Sequence, residues 1–125
     1  MENTSISVQT VPYRFSKAMC DHYATHIREG FAAGKKVVIF AGPEERAKLM
    51  LTLPGSLNKE EMEKITISPY PCNPRAANNV ARGMTNTNVI FIDNIGRYTH
   101  ILKPAVSALK NVNALFIDAE QRITR

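Results

Sequence analysis

The sequence has few of the features that mark specialised classes of protein. It contains only two cysteines, Cys20 and Cys72, without the short spacing of a zinc site, so we expect free thiols in a reducing compartment. The longest apolar runs, at 37–41 and 89–92, are too short to cross a bilayer, and the first residues lack the basic and apolar regions of a signal peptide. These absences predict a cytoplasmic protein with no membrane partner.

The chain has the composition of an ordinary globular protein. Its 125 residues are 44% hydrophobic and 22% charged, which favours a single α/β domain over residues 1–125. The formal net charge of +5 fits a polyanionic partner such as nucleic acid, although no dense run of lysine and arginine is present. A surface that needs net charge only for solubility would have the same balance.

Strand-like and helix-like segments alternate along the chain. The runs at 37–41 and 88–93 are apolar almost throughout, which predicts strands buried on both faces at the centre of a sheet. The other strands are predicted at 6–11, 65–68 and 115–117, and the helices at 16–33, 43–53, 73–84, around 105–109 and in a short segment from Asn58. This order predicts a three-layer α/β/α fold with a mainly parallel five-stranded sheet, Rossmann-like or P-loop-like. Ligands of such folds bind beyond the carboxyl ends of the strands.

One segment of the sequence is repeated in part. Residues 88–93 and 113–118 share the pattern Asn-x-x-Phe-Ile-Asp, and two neighbouring βα units would produce it without a true repeat. If the two strands are adjacent, Asp93 and Asp118 lie close enough to bind Mg²⁺ or to share a proton. The structural alternative is that each aspartate caps a helix or pairs with the arginine four positions further on.

The loop at 12–17 joins the first strand to the first helix, where phosphate-binding loops lie. A helix N-terminus offers free N–H groups and the positive end of the helix dipole. Candidates for phosphate or nucleotide contact are Arg14, Ser16 and Lys17 of this loop, together with Arg75.

In its layout the chain resembles the core of P-loop ATPases, especially the RecA-like, helicase and viral packaging-motor group. Ser16-Lys17 lies where that family has its Gly-Lys-Ser/Thr, and 34–47 looks like the strand and helix that follow. The segment 89–93 looks like the Walker B strand, whose aspartate, here Asp93, holds Mg²⁺ in such proteins. The segment 114–118 would then be the following strand. The resemblance implies nucleotide and Mg²⁺ as the ligands to test.

The chain departs from that family at the positions that perform hydrolysis. The loop at 12–17 has no glycine, which the family needs so that backbone N–H groups can wrap the phosphates, and Tyr13 and Phe15 would crowd that space. The hydroxyl precedes Lys17 instead of following it, and Asn94 stands where a catalytic glutamate is common. The resemblance therefore implies a degenerate relative that binds without hydrolysing.

Two further groups of residues could carry chemistry. Three prolines hold the stretch 69–75 extended, so that Cys72 near a helix start could act as a nucleophile; the alternative is a rigid loop with an inert thiol. His22 and His26 are four positions apart on one predicted helix, but no third ligand accompanies them. We interpret them as surface histidines.

These observations lead to three hypotheses for function. The first is a non-hydrolysing binding protein on a nucleotide-binding fold, which acts through nucleic acid or a protein partner. The second is a small enzyme for a phosphorylated or anionic substrate, in which Lys17 and Arg75 hold the anion and Asp93 supplies the chemistry. The third is an assembly module that forms homo-oligomers or belongs to a larger ATPase. The predicted nucleic-acid contacts are Lys35, Lys36, Arg46, Lys48 and Arg82.

Overall fold

The computed structural model describes residues 4–71, 73–93 and 99–119. Within these ranges no helix is both long and apolar enough to cross a membrane. The strands are β1 (Ser5–Val11), β2 (Lys36–Ala41), β3 (Thr66–Pro69), β4 (Thr87–Asp93) and β5 (Asn113–Ala119). The helices are α1 (Lys17–Ala32), α2 (Pro43–Thr52), α3 (Lys59–Lys64), α4 (Pro74–Arg82) and α5 (Thr99–Ser107), and a 3₁₀ turn spans Leu53–Gly55.

The five strands form one parallel sheet in the order β1-β5-β4-β2-β3. Side chains of α1, α2 and the 3₁₀ turn pack on one face of the sheet, and those of α4 and α5 pack on the other. The predicted three-layer α/β/α fold is therefore confirmed, and its parallel sheet is compatible with a Rossmann-like or P-loop-like plan. The two apolar strands, β2 and β4, lie inside the sheet, as their composition predicts. They are also neighbours in the strand order.

The repeated segments lie side by side in β4 and β5. The parallel register pairs Asn88 with Asn113 and Asp93 with Asp118. Each residue of one repeated segment therefore lies beside the corresponding residue of the other. On the face covered by α4 and α5, the ring of Phe91 stacks on Phe116 with centroids 4.7 Å apart and planes at 12°. The two strands are thus adjacent, which was the condition for the two aspartates to lie close together at the carboxyl edge.

Three helices begin at the residues from which the sequence predicts them, and each start has a side-chain cap. Ser16 accepts a hydrogen bond from the backbone N–H of Met19, and Asn73 accepts one from Ala76. Asn58 and Glu61 form a complete capping box at the start of α3.

Helix α5 begins earlier than its sequence pattern predicts. The predicted centre at 105–109 is wrong, since the helix spans Thr99–Ser107 with Pro104 in its interior. Leu102 and Val106, one turn apart, are both fully buried in the core beneath α5. Their burial favours a helix through this position although proline removes one backbone hydrogen bond. The ring of Pro104 lies on the exposed side, where water can satisfy the carbonyl that loses its donor.

Helix α1 approaches the sheet most closely at Gly30. A Cβ atom at this position would lie 2.8 Å from both the Cβ of Asn88 and a methyl carbon of Val37. At the same contact, the side-chain amide of buried Asn88 donates a 2.9 Å hydrogen bond to the carbonyl of His26. A glycine and a hydrogen-bonded asparagine therefore set the distance between α1 and β4.

We expect Gly30→Ala to destabilise the protein by about 1–3 kcal/mol, because core side chains would have to move to accept the methyl group. Chemical denaturation of the variant and of Gly55→Ala measures this. Gly55 has open space around its Cα, so its alanine variant should unfold within about 0.5 kcal/mol of the wild type. Equal stability of Gly30→Ala and the wild type would show that the contact is loose.

Candidate functional site

A cleft lies at the carboxyl edge of the sheet, where ligands of parallel α/β folds bind. Its volume is about 550 Å³. Residues 12–16, which connect β1 to α1, line one side, and Lys48, Leu51 and Thr52 of α2 line the other. We refer to it as the 12–16 cleft.

The wall of the 12–16 cleft combines exposed apolar surface with a cation. Tyr13 is 64% exposed, and Leu51 on the opposite wall is 83% exposed. The ammonium of Lys48 lies 5.6 Å from the centroid of the Phe15 ring, within range of a cation–π interaction. The cleft can therefore accept a flat apolar group with an anionic substituent.

Arg14 lies at the base of this cleft and is paired with an acid. Its Nη1 atom lies 3.9 Å from Oε1 of Glu45, and both side chains are largely buried. The hydroxyl of Tyr23 donates a 2.8 Å hydrogen bond to the carbonyl of Arg14. Burial raises the pKa of Tyr23 well above its usual value, so this hydroxyl remains a donor. The predicted phosphate ligand Arg14 is thus positioned at the site, with its charge offset by Glu45.

Gly42 provides the space for the carboxylate of Glu45. A Cβ atom at Gly42 would lie 2.6 Å from Oε2 of Glu45, so any side chain here would push the carboxylate aside. Gly42 follows β2 and Arg14 follows β1, and these strands are separated in the sheet by β5 and β4. The Arg14–Glu45 pair therefore joins the loop after β1 to the first turn of α2, which follows the distant strand β2.

Ser16 and Lys17 are engaged with their own chain. The hydroxyl oxygen of Ser16 caps α1, and Nζ of Lys17 lies 2.7 Å from Oδ1 of Asp21 and 3.1 Å from the carbonyl of Gly55. Hydrogen bonds from Lys17 and Ser56 lower the pKa of Asp21. Ser16 lines the 12–16 cleft, whereas Lys17 is turned toward the 3₁₀ turn and lies outside the residues that line it.

The five basic residues predicted to contact nucleic acid lie at two ends of the molecule. Lys36 begins β2 and lines a groove of about 450 Å³ at the amino edge of the sheet together with Lys64. Lys35 directly precedes β2, and Arg82 ends α4 beside Gly83, which lines the same groove. Arg46 and Lys48 belong to α2 at the carboxyl edge, where Arg46 donates a hydrogen bond to the carbonyl of Ala41. Only Arg46 and Lys48 are therefore near the 12–16 cleft.

The residues proposed for anion chemistry do not converge. Lys17 follows β1 and Arg75 follows β3, and these are the two edge strands of the sheet. The backbones of Asp93 and Asp118 are paired at the carboxyl edge, but the side chain of Asp93 lies outside the part of the chain that is described. Cys72 lies outside it as well, as do the two arginines that follow the aspartates. Among the described residues, no group of three or more histidine, cysteine or acidic side chains is arranged to hold a metal ion.

His26 is buried, which corrects the prediction that both helix histidines are surface residues. It is 8% exposed on the inner side of α1, whereas His22 is exposed and lies 3.1 Å from the amide nitrogen of Gln9. Burial lowers the pKa of His26, and backbone groups of Val89 and Asn113 offset part of that effect. The two histidines differ in burial because they lie at different angles around the axis of α1. Positions 23, 26 and 27 all face the sheet, whereas position 22 does not.

Sequence reasoning missed the part that α2 plays in the cleft. Tyr13 and Phe15 were expected only to crowd a phosphate loop, but they line the 12–16 cleft. The exposed pair Met50 and Leu51 was not identified. The sequence contains a signal for it, because residues 49–51 are Leu-Met-Leu and a single helix face cannot bury three consecutive residues.

Comparison with known proteins gives no match to this chain among family models, curated proteins or solved structures.

Replacing Glu45 by glutamine should destabilise the protein by about 1–3 kcal/mol, because Arg14 loses its buried counter-charge. Thermal or denaturant unfolding measures the loss. Glu44→Gln is the matched control, since the neighbouring acid is exposed and should tolerate the change. If both variants lose the same stability, the Arg14–Glu45 pair does not stabilise the contact between the loop after β1 and α2.

His26 should make stability depend on pH on the acidic side of neutrality. Its pKa in the folded protein is below the ordinary 6.5, so the unfolded chain binds more protons and stability falls as pH drops below about 6.5. Free energies of unfolding between pH 7.5 and 5 should decline less steeply in His26→Gln than in the wild type. His100→Gln, which changes an exposed histidine, should keep the slope of the wild type. A parallel decline in all three proteins would contradict this assignment.

Proposed function

We propose that this protein is a non-hydrolysing binding domain on a P-loop-like plan and that it binds single-stranded nucleic acid at the 12–16 cleft. The observation that carries the proposal is one cleft at the carboxyl edge that contains exposed Tyr13 together with the cation of Lys48, which lies over the ring of Phe15. Aromatic side chains next to positive charge are the usual elements of sequence-tolerant single-strand binding.

Stacking would supply most of the affinity. A base can lie on the exposed ring of Tyr13, with Leu51 of α2 closing the other side. Every base has a flat apolar face, so such a contact tolerates any sequence. The described cleft residues include no asparagine, glutamine or acidic side chain that would read the edge of a base.

Charge would add a salt-dependent contribution. Lys48 is exposed at the cleft, and Arg46 lies on the same helix closer to β2. Because Arg14 is already paired with Glu45, we expect Lys48 to provide most of the phosphate contact inside the cleft. Single strands lose affinity with salt in proportion to the number of phosphates neutralised.

Two observations support binding without hydrolysis. The loop at 12–17 has no glycine, so its backbone is not free to wrap a triphosphate. The hydroxyl oxygen of Ser16 and the ammonium of Lys17, which would take the positions of the family's motif, make contacts within the chain. Mg²⁺ and nucleotide therefore remain ligands to test, with Asp93 as the residue that the resemblance assigns to the metal.

Fluorescence anisotropy with a labelled oligothymidylate should show binding at low salt that weakens as salt rises. Tyr13→Ala should weaken it by roughly 5- to 150-fold, the effect of losing about 1–3 kcal/mol of stacking, while Tyr13→Phe should keep most of the affinity. Lys48→Gln should reduce the slope of log affinity against log salt by about 0.7.

Lys103→Gln is the control for charge, because Lys103 is exposed on α5 at the opposite face of the sheet. It should change neither the affinity nor the slope by as much as Lys48→Gln. Absence of binding to single strands at low salt would reject the proposal.

A protein partner is the second candidate, and the apolar surface of α2 favours it. Met50 is 58% exposed and lies beside exposed Leu51. The packing of the domain gives no reason for either apolar side chain to face solvent. If oligothymidylate does not bind, these two residues define the surface on which a protein ligand should be sought.

A further inference from the structure

We propose that β1 is a dimerisation edge and that two copies of this chain join through antiparallel β1 strands. The proposal concerns the outer edge of the sheet and does not depend on what the 12–16 cleft binds. Among residues 4–71, 73–93 and 99–119, β5 is the only strand that pairs with β1.

The backbone of β1 presents a regular set of groups that no other described residue pairs with. The N–H of Ser5 donates to the carbonyl of Val112, on the side of β5. Because N–H and C=O groups of alternate residues point to opposite sides of a strand, those of Ile6, Val8 and Thr10 point away from the sheet. Three residues therefore offer both a donor and an acceptor to a further strand.

The helices leave this edge accessible. Helix α1 packs mainly over β4 and β2, and α5 touches β1 from the opposite face of the sheet. Only Val11 of β1 is buried, and Val8 is 43% exposed. A strand added beside β1 would continue the sheet without displacing a layer of helix.

The two edges of the sheet differ in how they are protected. The edge strand β3 has four residues, ends in Pro69 and begins shortly after Lys64, which are common devices against edge pairing. The seven residues of β1 include neither proline nor a charged side chain. Natural sheets seldom leave so long an edge unprotected unless it is paired.

The occupant that fits best is a second copy of the same strand. A two-fold axis through Val8 places Val8 opposite Val8 and Ile6 opposite Thr10, so all the outward groups pair in about six backbone hydrogen bonds. The uncharged sequence causes no repulsion between identical strands, and the exposed side chains of Val8 meet at the axis. The resulting dimer has one continuous sheet with an isologous interface.

Size-exclusion chromatography with light scattering at rising concentration tests this with the full chain. We expect a mass that approaches twice 13.9 kDa. Val8→Lys should weaken dimerisation by roughly tenfold or more, because it opposes two ammonium groups at the axis.

Ser7→Lys is the matched control. It adds the same charge one residue away, but the proposed register places Ser7 opposite Gln9 and not opposite itself. It should therefore dimerise like the wild type, and thermal melts should show that both variants are folded. A wild type that stays monomeric at every concentration, or a Val8→Lys variant that dimerises equally well, would overturn the proposal. If the protein is a monomer, the β1 edge is open to pair with a strand of another protein.

Discussion

The stacked rings of Phe40, Phe91 and Phe116 fix the register of the three inner strands. Their centroids are separated by 5.3 Å and 4.7 Å across neighbouring strands, on the face covered by α4 and α5. A slip of one strand by one residue would turn its ring to the opposite face of the sheet, where α1 packs. Such a register would place the side chains of that strand on the wrong faces. The close contact of Gly30 with Asn88 holds α1 against the same central strand.

The strand order decides which loops meet at the carboxyl edge. It places β1 at the border of the sheet, and the segment after β1 forms the 12–16 cleft together with α2. The Arg14–Glu45 pair joins that segment to the first turn of α2, which follows β2. The same placement leaves one side of β1 unpaired within the described residues. Both proposals, binding at the cleft and pairing at the edge, therefore follow from the border position of one strand.

Much of the fold could be predicted from the sequence because its signals are local. The continuous apolar runs of β2 and β4 identify inner strands, and Ser16, Asn58 and Asn73 mark helix starts through hydrogen bonds within a few residues. Strand order could not be predicted, since every βα unit has the same pattern wherever it is inserted. For that reason the sequence could not show that Lys17 and Arg75 follow opposite edges of the sheet. The position of His26 is a different case, because it follows from the helical spacing of positions 23, 26 and 27 and could have been read from the sequence.

The central claim is that the 12–16 cleft binds single-stranded nucleic acid. Amide chemical-shift mapping of the ¹⁵N-labelled protein during titration with a short oligothymidylate tests it most directly. The predicted result is a continuous set of shifts at Tyr13, Phe15 and Ser16 and along α2 from Lys48 to Thr52. Shifts confined to the groove of Lys36 and Lys64 at the amino edge, or no shifts at low salt, would contradict the claim.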